Sequence, residues 1–371
     1  MRCPVVPVSP LDGNSPEPRH YRYPIPTAAL LSFRLGGSDG VAIEAAKWAA
    51  ALESLGFTIV TVAGDGPVDH LLPGLAIGAG DPPTADELGS ALAGADLVVV
   101  ENLCSLPLNP GAAKVAARVL ANRPALLHHH DLPWQRPQFA DHGPPPNDRR
   151  WNHVTINQLS RRQLAEAGID ATTIYNSFDP EAPDPDRDRT WRHQVRQSLG
   201  LGDAQRLVLQ PTRALPRKNV AGGMEVAAQL GAVYWLLGPA EDGYGPELDR
   251  LVAGASCPVV HGWPGGAPPG GVLAAYSGCD VVALPSTWEG FGNPSVESAI
   301  HRRPLAIGPY PVAAELAAFG FRWFRLDQTE ELGAWLDAPD PTLLDDNFEV
   351  AASHFSTADL PERISQALPG L

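Results

Sequence analysis

Apolar residues in this chain fall into short runs separated by stretches where they recur every three or four positions. The first run, 28–33, reads as a buried strand. Glycines follow it, then a helix over about 41–55 with Val41, Ala45, Trp48 and Leu52 on one face. Further runs at 57–62, 97–100, 124–128, 153–157 and 172–175 predict five more strands. The pattern breaks after Pro180 in a stretch rich in proline and aspartate with almost nothing apolar, which predicts a linker. A second alternating series then runs through 206–209, 233–237, 258–260, 281–284 and 304–307. Strand–helix alternation at this spacing predicts parallel sheets covered by helices on both faces. The expected fold is therefore α/β, with two doubly wound Rossmann-like domains facing a central cleft, where ligands bind at the carboxyl ends of the strands. The expected boundaries are a proline-rich tail over 1–26, a first domain over 27–180, a linker over 181–204, a second domain over 205–355 and a last segment over 356–371.

Composition narrows the function classes. The chain has 371 residues and a formal net charge of -15, which repels phosphate backbones and anionic lipid. Nucleic acid and stable membrane association are thus not expected, and no apolar run nears the ~18 residues of a membrane span. The four cysteines, Cys3, Cys104, Cys257 and Cys279, lie far apart with no CxxC pair, which fits reduced thiols in cytoplasm. Asp184, Asp186 and Asp188 form two D-x-D matches, but no apolar strand precedes them, so no metal site is expected there.

The candidate chemistry sits in WEGFGNPSVESA, from Trp288 to Ala299. A buried strand over 281–284 runs into a Gly290-Phe291-Gly292 turn. Asn293 suits an N-cap and Pro294 the first helical position. A glycine turn opening a helix presents free N–H groups and the positive end of a dipole, which is an anion site. Glu289 and Glu297 flank it. A carboxylate repels bare phosphate but accepts hydrogen bonds from sugar hydroxyls, so the pair around an anion site points to a nucleotide-sugar. A second element, Arg213 to Asn219, follows the first strand of the second series and holds Lys218 five residues after Arg213. Arg217 lies between them and is expected to face solvent. In the first half, Gly36, Gly37 and Gly40 follow the first strand with a spacing that is not G-x-G-x-x-G, which counts against a nicotinamide dinucleotide. His128-His129-His130-Asp131 ends another strand. Neighbouring residues in extended chain alternate sides, and no spaced partner completes a ligand set in the sequence, so a metal is not expected.

These elements resemble retaining GT-B glycosyltransferases, in particular family four of that class. Pro285, Ser286, Glu289, Gly290, Phe291, Gly292 and Glu297 match the family's E-x7-E stretch, with Ser298 in place of the usual Ala. Arg213 and Lys218 match its R-x4-K element, with Asn219 where Gly is usual. The resemblance spans about 27–340. It implies that Glu297 holds the donor ribose and Glu289 contacts the transferred sugar. The turn amides, from Gly290 through Asn293, with Arg213 and Lys218, would hold the diphosphate. Gly36 and Gly37 would approach the phosphates from across the cleft, and His130 would contact the donor sugar. Asp131 and Trp134 are candidate acceptor contacts, Trp134 alternatively packing on its own domain. His128 and His129 are expected to pack at the strand end. The stretch from Tyr175 to Asp179 resembles the family's domain boundary, and the last segment is implied to cross back to the first domain. The implied activity is retaining transfer of a hexose, mannose or glucose favoured, from a nucleotide-diphosphate sugar to a soluble saccharide or small glycoside, with no cofactor and no metal. A sugar-nucleotide epimerase, a phosphorylase and a non-catalytic sugar-nucleotide-binding protein remain alternatives.

Overall fold

A computed structural model of the protein describes residues 25–37, 39–180, 184–268 and 270–368. The expected tail lies almost wholly outside them, as do Cys3 and residues 181–183 of the expected linker. Seven strands build the first sheet: β1 (Thr27–Ser32), β2 (Thr58–Ala63), β3 (His70–Leu71), β4 (Leu97–Glu101), β5 (Ala125–His129), β6 (Trp151–Thr155) and β7 (Ala171–Thr173). Six build the second: β8 (Leu207–Gln210), β9 (Val233–Leu236), β10 (Val259–His261), β11 (Val281–Leu284), β12 (Leu305–Ile307) and β13 (Phe324–Arg325). Their orders are β3-β2-β1-β4-β5-β6-β7 and β10-β9-β8-β11-β12-β13, and neighbouring strands pair in parallel. In each sheet the order reverses beside the first strand of that half, the topological switch point where such sheets bind ligands. The central strands are buried on both faces, which is why they read as unbroken apolar runs: Leu97, Val98, Val99 and Val100 are all at most 1% exposed. The short edge strands β3 and β13 carry too few apolar residues to stand out in the sequence.

The expected linker is instead largely helix. Residues Pro185–Ser198 form one whose N-cap is Asp184, with Pro185 at the first position, Asp186 and Asp188 in the first turn and Arg196 in the last. These charges suit the helix dipole and hide the apolar face from a hydropathy reading. Its inner face carries Val195, Trp191 and Arg196 and packs along the helix Gly271–Gly278 of the second domain. Arg196 is 1% exposed. It donates to the carbonyls of Gly202 at 2.7 Å and Gly278 at 3.3 Å, and pairs with Asp280. The D-x-D aspartates have structural uses: Asp184 caps this helix and Asp188 pairs with Arg303 at 3.0 Å.

Two segments join the domains beside each other. Phe178 N–H donates to Phe355 O at 2.7 Å, and Thr357 N–H donates to Phe178 O at 2.8 Å. Tyr175, Phe178, Phe291, Phe319 and Phe355 stack around this crossing with ring centroids 5.1–6.2 Å apart. The last helix, Leu360–Ala367, then lies on the first domain, where Leu360, Ile364 and Ala367 join Trp48, Leu52 and Ala45 in one core cluster. No helix among the described residues is long and apolar enough to cross a membrane.

Candidate active site

The second domain's wall of the cleft is built from the loops after β8 and β11. The β8 loop places Lys218 at the end of a short 3-10 turn, Pro216–Lys218. Asn219 follows in the left-handed region at φ 48. Asparagine and glycine tolerate that conformation best, which explains how Asn219 stands where a glycine is usual. Its side chain accepts Gly222 N–H at the start of the helix Val220–Gln229 and donates to Pro285 O at 3.2 Å, tying this loop to the β11 loop. Facing it, Glu289 is 6% exposed and Lys218 is 8% exposed. Lys218 Nζ and Ser286 Oγ each donate to Glu289 Oε1 at 2.5 Å. Arg217 Nη1 donates at 3.1 Å to Glu289 Oε2 and at 3.1 Å to Trp288 O. Burial works against the Glu289 carboxylate, but Lys218, Arg217 and Ser286 prevail and hold it below the usual range. Burial pulls the Lys218 ammonium down, with the like charges of Arg217 and Arg213, against the opposing pull of Glu289. Two cations thus meet one buried anion at the mouth of the glycine turn.

The turn opens the helix Asn293–Ile300. Gly292, at φ +90, is the N-cap, so the helix begins one residue before the expected start. Asn293 is therefore not the cap; its Oδ1 accepts from Asn176 Nδ2 at 2.9 Å. Gly290 and Gly292 are glycines for space as well. A Cβ on Gly290 would stand 2.5 Å from His130 O across the cleft, and one on Gly292 would stand 2.2 Å from Tyr310 Oη. The Phe291 side chain is 3% exposed and belongs to the aromatic crossing, which leaves its backbone as the part that can face a ligand. One turn into the helix, Glu297 Oε2 accepts from Tyr276 Oη at 2.5 Å. Burial raises this carboxyl, while Tyr276 and Lys47 work to lower it.

The first domain's wall is built on β4 and β5. Their register sets Glu101 beside His128. His128 and His130 lie two apart, on the same side, and both rings reach Glu101 Oε2, with Nδ1 of His128 at 2.9 Å and Nε2 of His130 at 3.0 Å. Burial opposes ionisation of Glu101, but the two imidazoles bring it down to about 2. His130 is moved up: burial opposes its charge, but Glu101, Glu44 and Asp131 outweigh it. This corrects the expectation that no partner completes a ligand set. Among the described residues, Glu101, His128 and His130 are a grouping whose ligand atoms all lie within 4.8 Å of one another and could hold a metal ion. The same atoms already hydrogen-bond one another.

No family model matches the chain. It is 25% identical to the mannosylglucosylglycerate synthase of Thermotoga maritima, over 91% of this chain and 98% of that protein. It is 23% identical to that of Petrotoga mobilis, over 81% and 87%. Anabaena HepE in complex with UDP-glucose superposes with a TM-score of 0.68 at 19% identity, over 91% of this chain and 98% of the other. WaaG, a glycosyltransferase involved in lipopolysaccharide biosynthesis, does so at 0.62 and 13% identity, over 93% and 100%. The chain has the GT-B glycosyltransferase fold.

On this GT-B frame some expected site residues meet and others do not. Lys218, Glu289 and the turn do meet, and His130 touches the turn through its backbone. Arg213 stays outside the ion cluster, its guanidinium paired with Glu241 at 2.5 Å. Arg217, expected in solvent, takes a place in the cluster. Its alternation with Lys218 in the loop gave no hint of the tight 3-10 turn that brings both to one carboxylate. Gly36, at φ +72, packs on the ring of Pro67. The amides of Val41 and Ala42, which open the helix Gly40–Ser54, are capped by Asp39, so an acid already stands at that helix end. Asp131 pairs with Arg136 at 2.7 Å. Trp134 packs with Leu132, Leu164 and Ile169 of its own domain and donates to Gln163 at 3.0 Å, so the acceptor-stacking reading gains no support. His128 rests on Trp48 with ring centroids 4.2 Å apart, and His129 bonds Ser105 and His153. Both sit at the strand end, but as hydrogen-bonded groups and not as inert packing. The sequence reading missed Glu101, Asn157, Tyr276 and Glu241. Glu101 had a signal: a carboxylate closing the wholly apolar run of β4 needs a partner.

Proposed function

We propose that this GT-B protein is a retaining glycosyltransferase of family four. It would move a hexose, mannose or glucose, from a nucleotide-diphosphate sugar to a soluble saccharide or small glycoside. The observation that carries the reading is the Lys218–Glu289–Arg217 cluster at the head of the helix that also bears Glu297. A leaving diphosphate gains charge in the transition state, and fixed cations beside helix amides stabilise it without reorganising. The neighbours support the donor class, since HepE is described with UDP-glucose and the sequence relatives are named for a mannosylated product. A glycerate-bearing glycoside of the kind in those names fits a small acceptor. Among the described residues the buried carboxylates of Glu44, Glu101 and Glu289 are each hydrogen-bonded to neighbouring cationic or imidazole side chains, so we favour a front-face path. In it the leaving phosphate oxygen takes the acceptor's proton as the glycosidic bond forms on the same face. Raised thermal stability with one nucleotide sugar out of a panel would identify the donor, because a ligand bound to the native state alone stabilises it. Failure of every member to shift the transition would count against the reading.

Glu297→Ala should weaken donor binding by about 1.5–3 kcal/mol, the cost of a charge-assisted hydrogen bond, and leave turnover near native at saturation. Loss of turnover with an unchanged Michaelis constant would show that Glu297 acts elsewhere. Activity should also survive EDTA, because Lys218 and Arg217 neutralise the diphosphate in place of a metal ion. Turnover abolished by EDTA and restored by magnesium, manganese or zinc would refute the charge-pair account and turn attention to Glu101, His128 and His130.

A further inference from the structure

The glycine turn is held from across the cleft. Asn157 lies two residues past β6 in the first domain and is 1% exposed. Its Oδ1 accepts Ser160 N–H at 2.6 Å and so caps the helix Gln158–Glu166. Its Nδ2 donates to Gly290 O at 2.6 Å, 133 residues away and in the other domain. Three residues after Gly290, the Asn293 side chain accepts from Asn176 Nδ2 of the first domain at 2.9 Å. The 290–291 peptide is planar and trans, so its carbonyl and the N–H of Phe291 point in opposite directions. Fixing one fixes the other. That N–H lies just ahead of the N-cap Gly292, where the turn leads into the helix Asn293–Ile300.

We propose that Asn157 is a positioning residue for the donor diphosphate, orienting the 290–291 peptide from the opposite domain so that the anion site is complete when the cleft is closed. The inference rests on the reading that this turn receives a nucleotide-diphosphate sugar. A glycine turn can rotate that peptide freely, and a cross-domain hydrogen bond removes the freedom where closure has occurred. Closure and assembly of the anion site then become one event.

Asn157→Asp separates this role from the structural one. The aspartate keeps an acceptor for Ser160 N–H, so the helix cap and the fold are retained. It loses the donor to Gly290 O and sets a carboxylate oxygen against that carbonyl. Calorimetry with UDP and GDP, steady-state kinetics and thermal unfolding on native protein, Asn157→Asp and Lys218→Ala give the test. The expected result is that Asn157→Asp still folds cooperatively, its unfolding temperature lowered by the buried carboxylate but well above that of the assay, with affinity for the nucleotide that the native protein binds reduced about tenfold or more and turnover reduced with it. Native affinity and turnover in Asn157→Asp, beside lost affinity in Lys218→Ala, would overturn the inference and leave the donor site standing. Native affinity in both variants, or no binding of either nucleotide by the native protein, would overturn the donor reading and this inference together.

Discussion

Glu289→Ala should unfold more readily than the native protein by about 3–5 kcal/mol and should lose turnover. The stability loss follows from leaving two cations with no anion. Lys218 is 8% exposed, and removing one partner of a buried pair leaves an uncompensated charge whose desolvation is no longer offset. Nucleotide diphosphate supplies a replacement anion at the same cations. The variant should therefore gain more stability from saturating UDP or GDP, whichever binds, than the native protein does. The acid limb gives an independent check. Because the folded-state carboxyl of Glu289 is held below its unfolded value, with its cations outweighing burial, its stabilisation is present above the unfolded pKa, near 4.5. It fades as pH falls through the folded value. Glu289→Gln should lack that part of the acid slope in urea unfolding. A Glu289→Ala protein as stable as native, with the same acid slope, would show that the cluster is not the closed ion network described here.

Lys218→Ala should lower turnover by about 10²–10³-fold, the usual effect of deleting one preorganised group that stabilises transition-state charge. It should also weaken binding of the bare nucleotide diphosphate, since the ammonium meets that charge in the ground state too. Arg217→Ala should behave alike with a smaller loss, because its side chain is 21% exposed and Lys218's is 10%. Arg213→Ala tests the division of labour. With its guanidinium engaged by Glu241 at 2.5 Å, it should affect turnover less than Lys218→Ala. Kinetics on the three variants check the order. An Arg213 variant more damaged than the Lys218 variant would mean that Arg213 leaves Glu241 when donor arrives.

The central parallel strands were legible because they are buried on both faces and read as unbroken apolar runs, and the glycine turn because Gly290 and Gly292 answer to space, Gly292 also to a positive φ. The helix Pro185–Ser198 was not legible. Its apolar side is Trp191 and Val195 alone, and the rest of its inner contact is made by Arg196, whose burial rests on carbonyl partners that no local pattern shows. The same limit hid Arg217, Glu101 and Asn157. Each draws its meaning from a residue 27–133 positions away, and hydrogen-bond geometry between distant loops leaves no periodic trace. Arg213 shows the converse: a spacing marks a residue for a role, while the neighbour that engages it in the structure, Glu241, stands outside the motif.

The most direct measurement is the product itself. Purified protein would be incubated with GDP-mannose or UDP-glucose and with small glycosides, glycerate-bearing ones included, and the product resolved by mass and by NMR at the new anomeric centre. The account predicts release of the nucleoside diphosphate with one hexose added to the acceptor, and the donor's α configuration kept in the new bond. Transfer with a β bond would contradict retention, and donor epimerised or bound without transfer to any acceptor would contradict the glycosyltransferase reading.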